Sequence, residues 1–292
     1  MNNKRKDGVT VFIFLFVPVI LLALFSYYPL VKLFELSFSD WNGLSSSYNY
    51  VGFSNYKEVI GQKDLWTVFA NNGAYIITAL MQQFIGLFLA IILNCNLKKK
   101  NFFRAVLFMP YIINGVAVVF MFNYLYDFTN SPINYILGLL GLGDKAIHFL
   151  GTSYWSNFSL AFISFWKYVG FTMVIFIAAL QSIPSEIYEA ARVDGAGFWQ
   201  TITRITMPNI KGMFKISLLL SINGAFQAYF EPYMITKGGP NGRTDTFITK
   251  TLTLAFGFRK YGKAAVMGVM LLGIILLLVV VQKVFLKEGE AN

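Results

Sequence analysis

The sequence predicts an all-α polytopic membrane protein with six transmembrane helices, and three observations predict it. Apolar residues make up 56% of the 292-residue chain and charged residues 13%, against about 25% charged in a soluble domain. Uncharged runs long enough to cross a bilayer recur along the chain, at roughly 20 residues per crossing. Basic residues gather at the ends of those runs, as Lys4, Arg5 and Lys6 do before the first and Lys98, Lys99 and Lys100 before the third.

The elements follow in order. Gly8 to Val31 carries no charge; it exceeds the apolar core of a signal peptide and lacks a small-residue cleavage site, so it reads as an uncleaved first span. Leu65 to Leu97 is also uncharged and holds the second span over about 70–93. Ala105 to Tyr126 forms the third, and the fourth runs from about 156 to 180, with Lys167 inside it. The fifth covers about 210–233, with Lys211 and Lys215 at one end, and the sixth about 264–283.

Six spans return both termini to one side, and the basic N-terminus and the Lys98–Arg104 cluster make that side cytoplasmic. The boundaries are then a cytoplasmic tail over 1–9, a six-span domain over 10–285 and a second cytoplasmic tail over 286–292. One loop opposes this orientation. Lys237, Arg243, Lys250, Arg259, Lys260 and Lys263 outnumber Glu231 and Asp245 where alternation requires an external loop. The external segments 34–65 and 127–155 are rich in aromatic and apolar residues, which suit interfacial helices or an ordinary aromatic belt.

Composition also excludes functions. The net charge of +10 sits at span ends rather than on a soluble basic face, so it reads as orientation against the cytoplasmic leaflet and not as nucleic-acid binding. Cys95 and His148 are the only residues of their types, which removes disulfides and Cys- or His-cluster metal sites. No clustered acid, base or nucleophile lies at membrane depth, so no enzyme chemistry is expected. There is no G-x-x-x-x-G-K-[ST] phosphate loop, and GGPNGRT lacks its lysine and spacing. No cofactor is expected.

Residues 182–209 form the most specified polar stretch, falling on the cytoplasmic side between spans four and five. Pro184 suits a first helical turn and Ser185 a cap, with Glu186 and Glu189 near the positive end of the helix dipole. Ala190 and Ala191 are small enough for a partner to approach closely, and Gly195 can reverse the chain past the helix end. Phe198, Trp199, Ile202 and Ile205 share one face of a second helix, which Pro208 closes before span five. The expected product is a helix-turn-helix for docking another protein; an amphipathic loop on the headgroups is the simpler alternative.

Glu189-Ala190-Ala191, three residues, Gly195, nine residues, Ile205, Thr206, Met207 and Pro208 resemble the EAA motif of inner-membrane subunits of binding-protein-dependent ABC importers. The resemblance extends through YVGFSNYKEVI (50–60), residues 71–94, FFRAVLFMPYII (102–113), residues 165–196 and ITKGGPNGRTDTFITKTLTLAF (235–256). These segments are similar to carbohydrate-uptake permeases, and to the MalF-like member of the permease pair. The resemblance implies a compact six-span permease in the bacterial cytoplasmic (inner) membrane. Its implied partners are a second homologous permease, two copies of a cytoplasmic ABC ATPase and an external sugar-binding protein that delivers a carbohydrate. It also implies that residues 182–209 carry the coupling helix, with Glu189, Ala190, Ala191, Asp194 and Gly195 as the ATPase-docking element.

Polar and aromatic groups at membrane depth face cavities or neighbouring helices. Trp166 and Tyr168 in span four, and Asn223, Gln227 and Tyr229 in span five, are the candidate substrate contacts. Asn223 and Gln227 stand four residues apart on one helix face. Sugar binding and helix-to-helix bonding both suit these amides, and a structural role suits Lys167 better. The alternative function is a self-sufficient secondary transporter, which needs paired broken helices and intramembrane carboxylates.

Overall fold

The structure, a computed structural model, describes residues 14–95, 97–143, 146–151 and 153–285. The two expected tails, 1–9 and 286–292, lie outside them. Among the described residues the fold is helical, with one isolated β-bridge between Ser39 and Tyr50. In chain order the helices are α1 Phe14–Ser37, α2 Ser54–Gly61, α3 Lys63–Asn94, α4 Lys100–Ile112, α5 Gly115–Tyr126 and α6 Pro132–Leu139. They continue with α7 Ser153–Gln181, α8 Ser185–Val193, α9 Met207–Phe226, α10 Phe247–Leu252 and α11 Tyr261–Phe285.

Four of these are long and apolar enough to cross a membrane, over Phe14–Ser37, Lys63–Asn94, Trp155–Gln181 and Tyr261–Val284. Each overlaps an expected span. The expected third span falls on two helices, α4 and α5, which meet at 95°. Ile113 leaves the helix with extended backbone, and Asn114 then caps α5 by accepting the Val116 N–H at 2.8 Å. A capping side chain inside an apolar run starts a new helix there.

The expected fifth span is corrected. Pro208 does not close a preceding helix. Phe198–Gln200 leads through a π-helical stretch, Thr201–Thr206, directly into α9. Proline lacks the N–H and crowds the carbonyl four residues back; the wider π turn before it accommodates that ring, and Pro208 sits in the first turn of α9. At its other end α9 stops at Phe226, and a π-helical piece, Pro232–Thr236, follows.

The chain divides into two compact units. One comprises the described residues up to Lys63 with Thr251–Ile274. In it the segment after α1 folds back on itself: Asn55 Nδ2 donates to Ser37 O at 3.1 Å and Ser39 O at 2.7 Å. The aromatic residues expected to line an interface form a cluster, with Phe38 5.3 Å from both Phe53 and Tyr56 and Trp41 5.2 Å from Tyr261. Lys263 pairs with Glu58, which holds the Glu58 carboxyl below its ordinary range through that hydrogen bond.

The other unit comprises Asp64–Lys250 with the chain from Ile275. Its core has two clusters. One gathers Tyr75, Val118, Phe122, Leu160 and Ile163, and the other Leu87, Leu93, Met173, Phe176, Ile183 and Ile210. A polar seam runs beside them: Gln82 Nε2 donates to Thr172 Oγ1 at 2.7 Å, and Gln83 Nε2 donates to Ser221 Oγ at 2.5 Å. Amide N–H groups buried among helices find hydroxyl partners this way because no water is available in hydrocarbon. Lys250 pairs with Asp64 at 3.1 Å, so two of the six cations in the conflicting basic loop have acidic partners.

Candidate functional site

Two places in the Asp64–Lys250 unit carry chemistry: a polar cavity among α3, α5, α7 and α9, and the turn between α7 and α9.

The cavity encloses about 760 Å³. Gln82, Thr172 and Ser221 of the polar seam lie on its wall with Lys167, Tyr168, Gln227, Tyr229 and Glu231. Phe165, Phe171 and Phe230 supply apolar faces, and Phe171 stacks on Tyr111 at 4.7 Å. Its lining combines ring faces with scattered hydrogen-bonding groups, as small-molecule sites do.

Three of the five candidate substrate contacts, Tyr168, Gln227 and Tyr229, are thereby brought onto one cavity. Asn223 is not on its lining; its Oδ1 accepts from Gln227 Nε2 at 2.7 Å, so it holds a lining residue in place. Gln227 itself caps the C-terminal end of α9. Trp166 faces a separate, mainly aromatic cavity of about 960 Å³ and meets Phe122 edge-on at 5.4 Å.

Sequence reasoning missed Gln82, Tyr75 and Glu231 in this cavity. Gln82 was legible as an amide at membrane depth. Glu231 was counted with the charges of the following loop, yet it is 8% exposed and shares the cavity lining with Ser164 and Lys167. The break after α9 turns this carboxylate inward, and a break of that kind has no one-residue signature.

The turn between α7 and α9 is built from its flanks. Ile183 and Ile210 bury in the second core cluster, with Tyr188 and Met207 packed against it, and Tyr188 Oη lies 3.3 Å from Thr206 Oγ1. Pro184 takes the position before α8 and Ser185 is its first helical residue, so Ser185 makes no cap. At the far end the Ala196 N–H reaches Ala191 O at 2.9 Å, with Gly195 at φ +77°. This is a left-handed helix stop that favours glycine. Space is not the reason: nothing lies within 4 Å of where a Gly195 Cβ would be.

Of the five expected docking residues, Glu189, Ala190, Asp194 and Gly195 are exposed and Ala191 is buried. Ala191 is covered within the chain and is 7% exposed. Beside the turn, Val193 is 88% exposed and Trp199 73%. A turn anchored at both flanks and exposed at its centre is a rigid, presented surface.

Known proteins resemble this chain in sequence and fold. Residues 82–288 match the family described as binding-protein-dependent transport system inner membrane component. The chain is 33% identical to the Probable ABC transporter permease protein YurN of Bacillus subtilis, over 99% of each chain. It is 29% identical to the multiple sugar-binding transport system permease protein MsmF of Streptococcus mutans, over 95% of each. It is also 30% identical to the diacetylchitobiose uptake system permease protein NgcF of Streptomyces coelicolor, over 94% of this chain and 82% of that one. A solved bacterial ABC transporter involved in import of the acidic polysaccharide alginate shares the fold at TM-score 0.85 and 22% identity, over 99% of each chain. The chain belongs to the binding-protein-dependent transport system inner membrane component family, and is a multi-pass permease subunit of an ABC importer.

Proposed function

We propose that this permease and a second, homologous one enclose the translocation path for a carbohydrate, handed over by an external binding protein. The observation that carries the reading is the cavity of about 760 Å³, where phenyl faces and amide, hydroxyl and phenol groups meet between helices. Relatives such as MsmF and NgcF carry sugar transport in their names.

The path crosses the membrane six times, with the bent pair α4 and α5 as one crossing and α9 with the piece after it as another. This topology puts both termini on the cytoplasmic side, the same side as the Lys98–Lys100 cluster. The pairing of Lys250 with Asp64 and Lys263 with Glu58 supports an external place for the basic loop, since paired cations weigh less in orientation.

The turn at 182–209 docks one of two cytoplasmic ATPase copies. Glu189, Ala190, Asp194 and Gly195 form the contact surface, and Ala191 sets the packing beneath it. Glu189 accepts charge-assisted hydrogen bonds from the ATPase. ATP-driven closure of the ATPases then reaches α7 and α9 through Ile183 and Ile210, because a rigid turn transmits displacement.

The test combines co-purification with uptake. Replacing Glu189 and Gly195 together is expected to release the ATPase and abolish sugar uptake while the permease stays folded in the membrane. Unchanged uptake defeats the docking assignment. Uptake by the purified chain alone in liposomes under an ion gradient defeats the importer reading and favours a secondary transporter.

A further inference from the structure

The cavity holds two groups that the preceding reading does not use. Tyr75 is 2% exposed and lines the cavity, and no described residue partners its hydroxyl. Buried hydroxyls almost always have a partner, so an orphan hydroxyl on a residue that lines a cavity lacks a bond that a ligand could supply. Glu231 is 8% exposed on the same wall, within electrostatic reach of Tyr75.

A carboxylate in low dielectric is costly unless compensated. Lys167 on the same lining supplies the opposite charge. Among the described residues, Glu231 and Lys167 are the only charged ones of the lining, so their formal charges cancel. A neutral ligand leaves that balance intact. A uronate adds a charge with no partner and opposes Glu231 directly.

Resting on the carbohydrate reading above, we infer that Tyr75 and Glu231 form a hydroxyl-reading subsite that selects uncharged glycans over uronic ones. Glu231 accepts from ligand hydroxyls and Tyr75 supplies the adjoining donor. Both are specificity-determining residues of the permease itself, separate from the selection made by the binding protein.

The test measures ligand binding to the purified importer complex in nanodiscs by saturation-transfer NMR, with maltotriose and trigalacturonate as the neutral and uronic probes. This readout bypasses the binding protein. The wild type is expected to give a signal with maltotriose and little with trigalacturonate. Glu231→Gln removes a charged acceptor, so the maltotriose signal is expected to fall about tenfold, and trigalacturonate is expected to gain through the uncompensated Lys167. Tyr75→Phe keeps the ring and is expected to weaken maltotriose a few-fold. A trigalacturonate signal at least equal to maltotriose in the wild type overturns the inference. So does a probe ratio unchanged in Glu231→Gln, or no signal from either probe. Sugar uptake that persists with unchanged probe ratios leaves the carbohydrate reading standing and removes only the subsite.

Discussion

Asn72 Oδ1 accepts the backbone N–H of Phe247 at 2.9 Å, joining α3 to the start of α10 across 175 positions of sequence. The same amide donates through Nδ2 to Ala225 O at 2.9 Å, at the end of α9. Its neighbour Asn71 donates to Asp245 O at 2.9 Å and accepts from Asn157 Nδ2 at 2.9 Å. Successive asparagines thus tie α7, the end of α9 and the Gly-Gly-Pro loop to α3. The tie supports the wall on which Gln227 and Glu231 stand. Asn72→Ala removes both of that side chain's buried hydrogen bonds, at an expected cost of about 1–3 kcal/mol. Thermal unfolding in detergent checks this, and Asn71→Ala is expected to cost less because Asn71 is slightly exposed.

Gly170 of α7 sits against α4. A Cβ there would lie 1.9 Å from Leu107 O, a backbone atom that cannot rotate away. Close approach of small residues is how membrane helices gain packing without a hydrophobic driving force. Gly170→Ala is therefore expected to push α4 from α7, costing about 2 kcal/mol or more. Lower yield of monodisperse protein on size exclusion and a lower midpoint of thermal unfolding are the readouts.

Asp245, in the pinned loop, is buried and accepts a hydrogen bond from Thr249 Oγ1 at 3.0 Å. Burial raises its carboxyl pKa above the ordinary value, with the Thr249 bond acting in the opposite direction. The folded state thus holds the Asp245 proton more tightly than the unfolded chain does. Its stabilising contribution is full below the unfolded pKa, near about 4, and is lost as pH rises through the raised folded value. Asp245→Asn cannot ionise. The difference in unfolding midpoint, variant minus wild type, is expected to grow as pH increases from about 4 to neutrality.

Much of this architecture was legible in the uncharged runs. Leu65 to Leu97, the run around Trp166 and the run after Lys263 all become long helices, because a helix satisfies its own backbone where water is absent. The helix stop at Gly195 was equally legible, since φ above zero favours glycine. The bend at Asn114 was not: one asparagine in an apolar run reads as an interface residue until its side chain is seen capping Val116. The asparagine ties were hidden because their partners lie more than 85 positions away. Glu231 was misplaced for a related reason. Its depth depends on where α9 breaks, and that break is set by the contacts of Asn72 with Ala225 and Phe247.

Trp166 and Tyr168 are two positions apart on α7 and so face different sides, and they separate stability from transport. Trp166 packs on Phe122 in the first core cluster, away from the polar cavity. Trp166→Ala removes a large, half-buried ring and is expected to cost roughly 2 kcal/mol, with the KM for uptake unchanged in the protein that folds. Tyr168 is 39% exposed on the polar cavity, so loss of its hydroxyl disturbs little packing. Tyr168→Phe is expected to leave the unfolding midpoint in place and to raise the KM for uptake about threefold, as the loss of one neutral hydrogen bond would. Proteoliposome uptake kinetics measured beside thermal unfolding decide between the two sides. A raised KM in Trp166→Ala, with none in Tyr168→Phe, would move the substrate path to the aromatic cavity.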